Sequence, residues 1–243
     1  MIKGIFFDLG GTLCSYKDVP RVTIPLLNQA KEKLDVKATA EDIKKFYQEA
    51  TIEIAKVYSE KTYYLHENLF KDIFILFCKL LGGELTKETL TWYISAHREA
   101  VTNCLTLKEN ALETLHALQG KGLYLSIVSN IDNDMLEPIL KNEGLHEYIN
   151  HAISSEDVKS CKPDAKIFEE AIRLSSLATD TILFVGDSPE HDINGAANVG
   201  LKTVLISDNG MPPPLQAGKA RIAPSFTIDH LSDLIVIAEK ENN

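Results

Sequence analysis

Three carboxylates and one lysine have the types and settings that chemistry needs: Asp8, Asp187, Asp192 and Lys162. Asp8 lies in Phe6-Phe7-Asp8-Leu9-Gly10-Gly11-Thr12-Leu13, just past a short apolar run. The two glycines after it leave backbone N–H groups free to meet an anion. Ser129-Asn130 puts a hydroxyl and an amide at the end of a second apolar run, and Lys162 stands before proline in Cys161-Lys162-Pro163-Asp164. The last segment is Gly186-Asp187-Ser188-Pro189-Glu190-His191-Asp192. If Asp8, Asp187 and Asp192 converge, they repel one another unless a cation neutralises them. Oxygen ligands at an open site suit magnesium. The same cation would offset an incoming phosphoryl group, and Lys162 would add a second positive charge.

The elements that must position these residues can be read from periodicity. Residues 2–7 form a buried strand ended by Asp-Leu-Gly-Gly. From Asp18 to Asn103 the pattern is helical, with no convincing strand. Thr39 and Asp42 resemble a capping box, followed by Ile43, Phe46, Tyr47 and Ala50 at helical spacing. Leu69, Ile73, Leu76, Phe77 and Leu80 make another stripe, stopped at Gly82-Gly83. A further helix spans Thr89 to Val101, and the whole segment reads as a four-helix insert. From Lys108 onward, helices alternate with strands at Leu123–Val128, Ile149–Ile153, Thr181–Val185, Thr203–Ile206 and Phe226–Ile228. The intervening helices are Asn110–Leu118, Asp134–Glu143, Asp164–Ser175 and Ile193–Val199, with a closing one near His230–Glu239. Such alternation predicts an α/β fold: a doubly wound, Rossmann-like parallel sheet covered on both faces. Ligands in such sheets bind outside the carboxyl ends of the strands, where Asp8, Ser129-Asn130 and Asp187 fall. Pro212-Pro213-Pro214 reads as a stiff surface loop.

Composition sets the limits. The 243 residues suit one large domain or a core with an insert, and 44% apolar with 25% charged residues is an ordinary globular mix. A net charge of -10 disfavours nucleic acid and anionic membranes as partners. It also disfavours anionic substrates unless a local cation reverses the field. The scattered Cys14, Cys78, Cys104 and Cys161 read as reduced thiols. No leader or membrane-spanning run is visible, so a cytoplasmic location is expected.

Taken together, the four segments resemble the haloacid dehalogenase superfamily. Gly186 to Gly200, Gly-Asp-Ser-x-x-x-Asp-Ile-x-Gly-Ala-x-x-x-Gly, is a particularly full match. The resemblance implies a core of residues 1–14 and 106–243, with a helical cap of residues 15–105 inserted between the first and second segments. It implies that Asp8 attacks phosphorus and becomes an aspartyl phosphate. Magnesium would be held by Asp8, the Gly10 carbonyl and Asp187, with Asp192 in support. Gly10, Gly11, Ser129, Asn130 and Lys162 would bind the phosphoryl group of a phosphorylated small molecule, and Lys162 would offset charge.

The chain departs from the family's phosphatases at Gly10, where they carry a second Asp that protonates the leaving group and then activates water. Such a group is worth ~10²–10⁴ in rate. Three explanations compete. The substrate has a good leaving group, such as an acyl phosphate or anhydride. Another residue substitutes, with Glu190, His191, His66, Glu67 and His97 as candidates. Or the chain is a catalytically feeble binding or regulatory module. A metal-independent 2-haloacid dehalogenase is the rival chemistry, but the Asp187 and Asp192 segment favours phosphoryl transfer. Weak-to-moderate phosphatase activity is the expectation.

The bland readings are ordinary. Asp8 alone would be a turn residue, Ser129-Asn130 turn chemistry, Lys162 a solvated lysine and Asp192 a helix cap. It is their joint occurrence that argues for a site. Tyr63-Tyr64 and Trp92 read as core of the helical insert.

Overall fold

The computed structural model describes residues 1–206 and 221–242. Strand β1 (Gly4–Phe7) opens the chain, and the short β2 (Cys14–Ser15) leads into four helices. These are α1 (Val19–Lys33), α2 (Ala40–Tyr58), α3 (His66–Leu80) and α4 (Lys87–Cys104), and β3 (Thr106–Leu107) leads out of them. Next come α5 (Ala111–Gly120), β4 (Tyr124–Ser129), α6 (Asn133–Asn142), β5 (His151–Ser154) and the short α7 (Ser155–Val158). The chain continues through α8 (Ala165–Ser175), β6 (Ile182–Gly186), α9 (Gly195–Asn198), β7 (Lys202–Ile206), β8 (Phe226–Ile228) and α10 (Asp233–Lys240).

Six strands form one sheet in the order β5-β4-β1-β6-β7-β8, each neighbouring pair parallel. β1 lies at its middle because almost every side chain in it is apolar and buried, so it must be covered on both faces. Ile5 and Phe7 pack on one face with Leu115 of α5, Ile139 of α6 and Leu234 of α10. Phe6 packs on the other with Ile167 and Phe168 of α8 and Ala196 of α9. This is the doubly wound arrangement that the alternation predicts.

The four helices after β2 carry their own apolar core, built from Leu27, Ile43, Leu69, Ile73, Phe77 and Tyr93 among others. α2 starts where Thr39 and Asp42 exchange bonds. The Asp42 N–H donates to Thr39 Oγ1 at 3.1 Å and the Thr39 N–H to Asp42 Oδ2 at 2.9 Å. α3 stops at Gly82, whose φ of +77° suits glycine. The outgoing and returning chains pair as a two-stranded antiparallel ribbon, with Cys14 opposite Leu107.

One detail differs from the sequence reading. The helix expected over 193–199 is present as the short α9, but it is entered through a π-helical turn, Pro189–Asn194, that takes its first two residues. Ser188 caps that turn, accepting the His191 N–H at 3.2 Å. The wide turn lets Asp192 fold back under Gly186, where a Cβ would meet the Asp192 Cβ at 2.3 Å. The proline run 212–214 lies outside the described residues. Among the described residues no helix is long and apolar enough to cross a membrane.

Candidate active site

The carboxyl edge of the sheet gathers the residues that the sequence singles out. Asp8 extends β1, its N–H donating to Val185 O at 2.9 Å, and the residue is only 3% exposed. Ser129, the last residue of β4, donates its hydroxyl to Asp8 Oδ1 at 3.0 Å. Lys162 Nζ donates to Asp8 Oδ1 and to Asp192 Oδ1, each at 2.6 Å. Asp192 Oδ2 accepts the Ser188 N–H at 2.9 Å, so both of its oxygens are engaged.

Asp187 is different. It follows β6, and its buried Oδ1 has no hydrogen-bond partner among the described residues. One oxygen each from Asp8, Asp187 and Asp192 lie within 4.8 Å of one another. Buried polar atoms without partners are rare in folded proteins, so this oxygen calls for a ligand.

The electrostatics follow from three carboxylates against one ammonium. Burial raises Asp8, Lys162 pulls it back, and Asp192 raises it further; the net direction is up. Burial, then Asp8 and then Asp192 push Asp187 up to about 8. Burial works against charge on Lys162, but Asp192 and Asp8 outweigh it and hold the ammonium charged. Burial lowers His191 to about 4, leaving a neutral imidazole at pH 7.

The glycines make room. Gly11 has a φ of +83°, and a Cβ there would sit 2.1 Å from Asp187 Oδ2. A Cβ on Gly10 would meet the Tyr16 hydroxyl oxygen at 2.0 Å. Lys108 Nζ donates to the Gly11 carbonyl, tying the loop down from the β3 side.

A cleft of about 830 Å³, its open mouth included, lies over Asp8. Gly10, Tyr16, Ser129, Asn130 and Lys162 line its floor, and Tyr64, His66 and Phe70 close it from the helical side. That size takes a small molecule. Of the candidate substitutes for an acid/base, His66 and His191 line this cleft. Glu67 and His97 line a separate hollow instead, and Glu190 lines neither. His97 stacks on Tyr93 and packs at a tilt against Phe70 as part of the helical core.

Two roles lie beyond the sequence reading. The Asn130 side chain clamps the Lys162 backbone, accepting its N–H at 2.7 Å and donating to its carbonyl at 3.0 Å. Asp132, buried in the loop after β4, accepts the N–H groups of His66 and Glu67, both at 2.8 Å. It thus caps α3 from across the cleft, and Arg98 of α4 pairs with Asp134 at 2.5 Å nearby. No local motif signals either contact, because the partners lie far apart in the chain. Asp132→Ala removes the cap and is expected to cost about 1–2 kcal/mol. Thermal melting should show the loss, and KM should rise more than kcat falls, because the helical side would close less firmly over the cleft.

Comparison with known proteins identifies the family. A family model described as haloacid dehalogenase-like hydrolase matches residues 2–200. Glyceraldehyde 3-phosphate phosphatase of Methanothermobacter thermautotrophicus is 25% identical over 208 residues, 85% of this chain and 86% of that protein. (S)-2-haloacid dehalogenase 4A of Burkholderia cepacia is 32% identical over 120 residues, 49% of each chain. The chain thus spans about half the length of some curated relatives it matches. The crystal structure of the HAD-hydrolase YfnB from Bacillus subtilis, bound to magnesium, superposes with a TM-score of 0.77 at 21% identity, covering 97% of this chain and 98% of that one.

Proposed function

The chain belongs to the haloacid dehalogenase-like hydrolases, and from that premise we propose that it is a magnesium-dependent phosphatase of a phosphorylated small molecule, working through an aspartyl phosphate on Asp8. The observation that carries this reading is the unpartnered, buried Oδ1 of Asp187 beside Asp8 and Asp192. Lys162 alone leaves this cluster with excess negative charge, and hard oxygen donors with one open position fit a magnesium ion. Asp8, the Gly10 carbonyl and Asp187 would hold it. Asp192 would support from behind, since its oxygens already accept from Lys162 and Ser188. When bound, magnesium neutralises the carboxylates and the phosphoryl oxygens.

The chain's own residues do the rest. Lys162 and Ser129 both donate to Asp8 Oδ1, leaving Oδ2 to attack. The Asn130 backbone N–H would meet a phosphoryl oxygen, and the Ser129 hydroxyl would turn from Asp8 to another once substrate is bound. Asn130 keeps Lys162 in place through its backbone. Residues 15–105 act as the cap, presenting Tyr64, His66 and Phe70 to exclude water and select the substrate. The phosphatase relative cited above supports phosphorus as the target. The dehalogenase relative keeps carbon–halogen cleavage as the rival.

A screen of phosphorylated metabolites with magnesium and with EDTA tests the proposal. Phosphate release that disappears in EDTA is expected. Halide release from 2-chloropropionate in EDTA, with no phosphate released from any ester or anhydride, would overturn it.

A further inference from the structure

Gly10 and Tyr16 exclude one another's alternatives. A Cβ built on Gly10 lands 2.0 Å from the Tyr16 hydroxyl oxygen and 2.5 Å from Cζ. No side chain fits at position 10 while Tyr16 stays, so the phenol fills the space through which a carboxyl at that position would reach. Tyr16 is well placed to keep this station. It directly follows β2, at the start of the outgoing linker, and its ring packs against the main core. Its carbonyl accepts the Val19 N–H at 3.1 Å, fixing the first turn toward α1. Tyr16 lines the cleft that also holds Asp8, Gly10 and Lys162.

We propose that the Tyr16 hydroxyl stands in for the side chain missing at position 10, donating a hydrogen bond to the bridging oxygen of the substrate and favouring phosphates whose leaving group departs as a stable anion. The proposal rests on the phosphatase reading above and deepens it to a substrate class: acyl phosphates and phosphate anhydrides. The three atoms nearest to a Cβ at position 10 all belong to Tyr16. His66 stands on the helical side with Nδ1 3.6 Å from Asp132, and His191 lies in the turn after β6.

The chemistry balances without a proton donor. As Asp8 bonds to phosphorus, the bond from phosphorus to the bridging oxygen breaks and its electron pair stays on that oxygen. A carboxylate or phosphate departs as the anion, and the phenol keeps its proton while hydrogen-bonding the growing charge. An alkoxide leaving group would need a proton outright, and a phenol, which ordinarily ionises only near pH ~10, gives one up far less readily than a carboxyl does.

Two measurements decide the matter. The first compares kcat on acetyl phosphate and ethyl phosphate for the wild type, Tyr16→Phe, Tyr16→Ala and Gly10→Asp/Tyr16→Ala. The wild type should prefer acetyl phosphate by about 100-fold or more, within the range that a general acid is worth. Tyr16→Phe should slow acetyl phosphate more than ethyl phosphate and so narrow the preference several-fold. The double variant should raise the ethyl phosphate rate above Tyr16→Ala. Equal losses on both substrates in Tyr16→Phe would mark a merely structural role and overturn the proposal. The second measurement needs no turnover: Gly10→Asp should lower the melting temperature sharply, and adding Tyr16→Ala should recover much of that loss. Additive effects of the two substitutions would refute the shared space. A wild type inactive on both substrates would sink the phosphatase reading, and the melting cycle would still judge Tyr16.

Discussion

Replacing Asp8 by Asn is expected to lower kcat for phosphate release by ~10⁴-fold or more, the scale reached when a covalent nucleophile is removed. An amide is nearly isosteric with the carboxyl but has no electron pair basic enough to attack phosphorus. The fold should survive. Burial raises the Asp8 pKa more than Lys162 lowers it, so the ionised form costs stability in the folded chain at neutral pH. The amide oxygen can still accept from Lys162 Nζ and Ser129 Oγ, which now reach Asp8 Oδ1 at 2.6 and 3.0 Å. The melting temperature without magnesium should therefore be unchanged or slightly higher than that of the wild type. Loss of rate with retained melting separates a chemical role from a structural one. Residual turnover near the wild-type rate would mean that the route does not pass through position 8.

How much of this is legible in the sequence depends on whether the cause is local. β1 and Asp8 can be read because Ile5, Phe6 and Phe7 form an apolar run stopped by glycines. The parallel sheet then follows from alternation, and the sheet's geometry alone brings the ends of β1, β4 and β6 to one edge. That is why strand endings suffice to group Asp8, Ser129 and Asp187. Lys162 sits in no strand, and the resemblance rather than the pattern places it. The contacts that leave no trace in the pattern all join distant segments. Tyr16 matters only because a linker brings its hydroxyl against Gly10. The Asn130 side chain serves the Lys162 backbone, a pairing set by how α8's approach meets the loop after β4. The turn at Pro189–Asn194 keeps the apolar spacing of a plain helix, while its extra width comes from the need to bury Asp192. Periodicity reports which face is apolar; it does not report where a carboxylate must fold back.

The same crowding of carboxylates makes stability depend on pH when magnesium is withheld. Asp187 has an ordinary value of 3.8 and is pushed up to about 8 in the fold, by burial first and then by Asp8 and Asp192. A folded-state value above the unfolded one means that the folded chain holds the proton more tightly. The resulting stabilisation is complete below about pH 4, is lost as pH rises toward about 8, and is gone above it. Every tenfold gain in proton affinity is worth up to ~1.4 kcal/mol. Sharing between Asp8 and Asp187, together with partial solvent access, reduces the total to the order of a few kcal/mol, or roughly 5–10 °C of melting temperature for a chain of this size. Metal-free protein should thus melt progressively lower between pH 5 and pH 8. Magnesium should reverse the decline, because it binds the ionised carboxylates of the folded chain alone. Asp187→Asn should flatten the metal-free profile and at the same time abolish the response to magnesium. Calorimetry across this range, with and without the ion, reads both effects at once. A metal-free profile that stays level from pH 5 to pH 8, or a wild-type chain whose melting ignores magnesium, would show that the three carboxylates are not the strained, cation-seeking cluster on which the catalytic proposal depends.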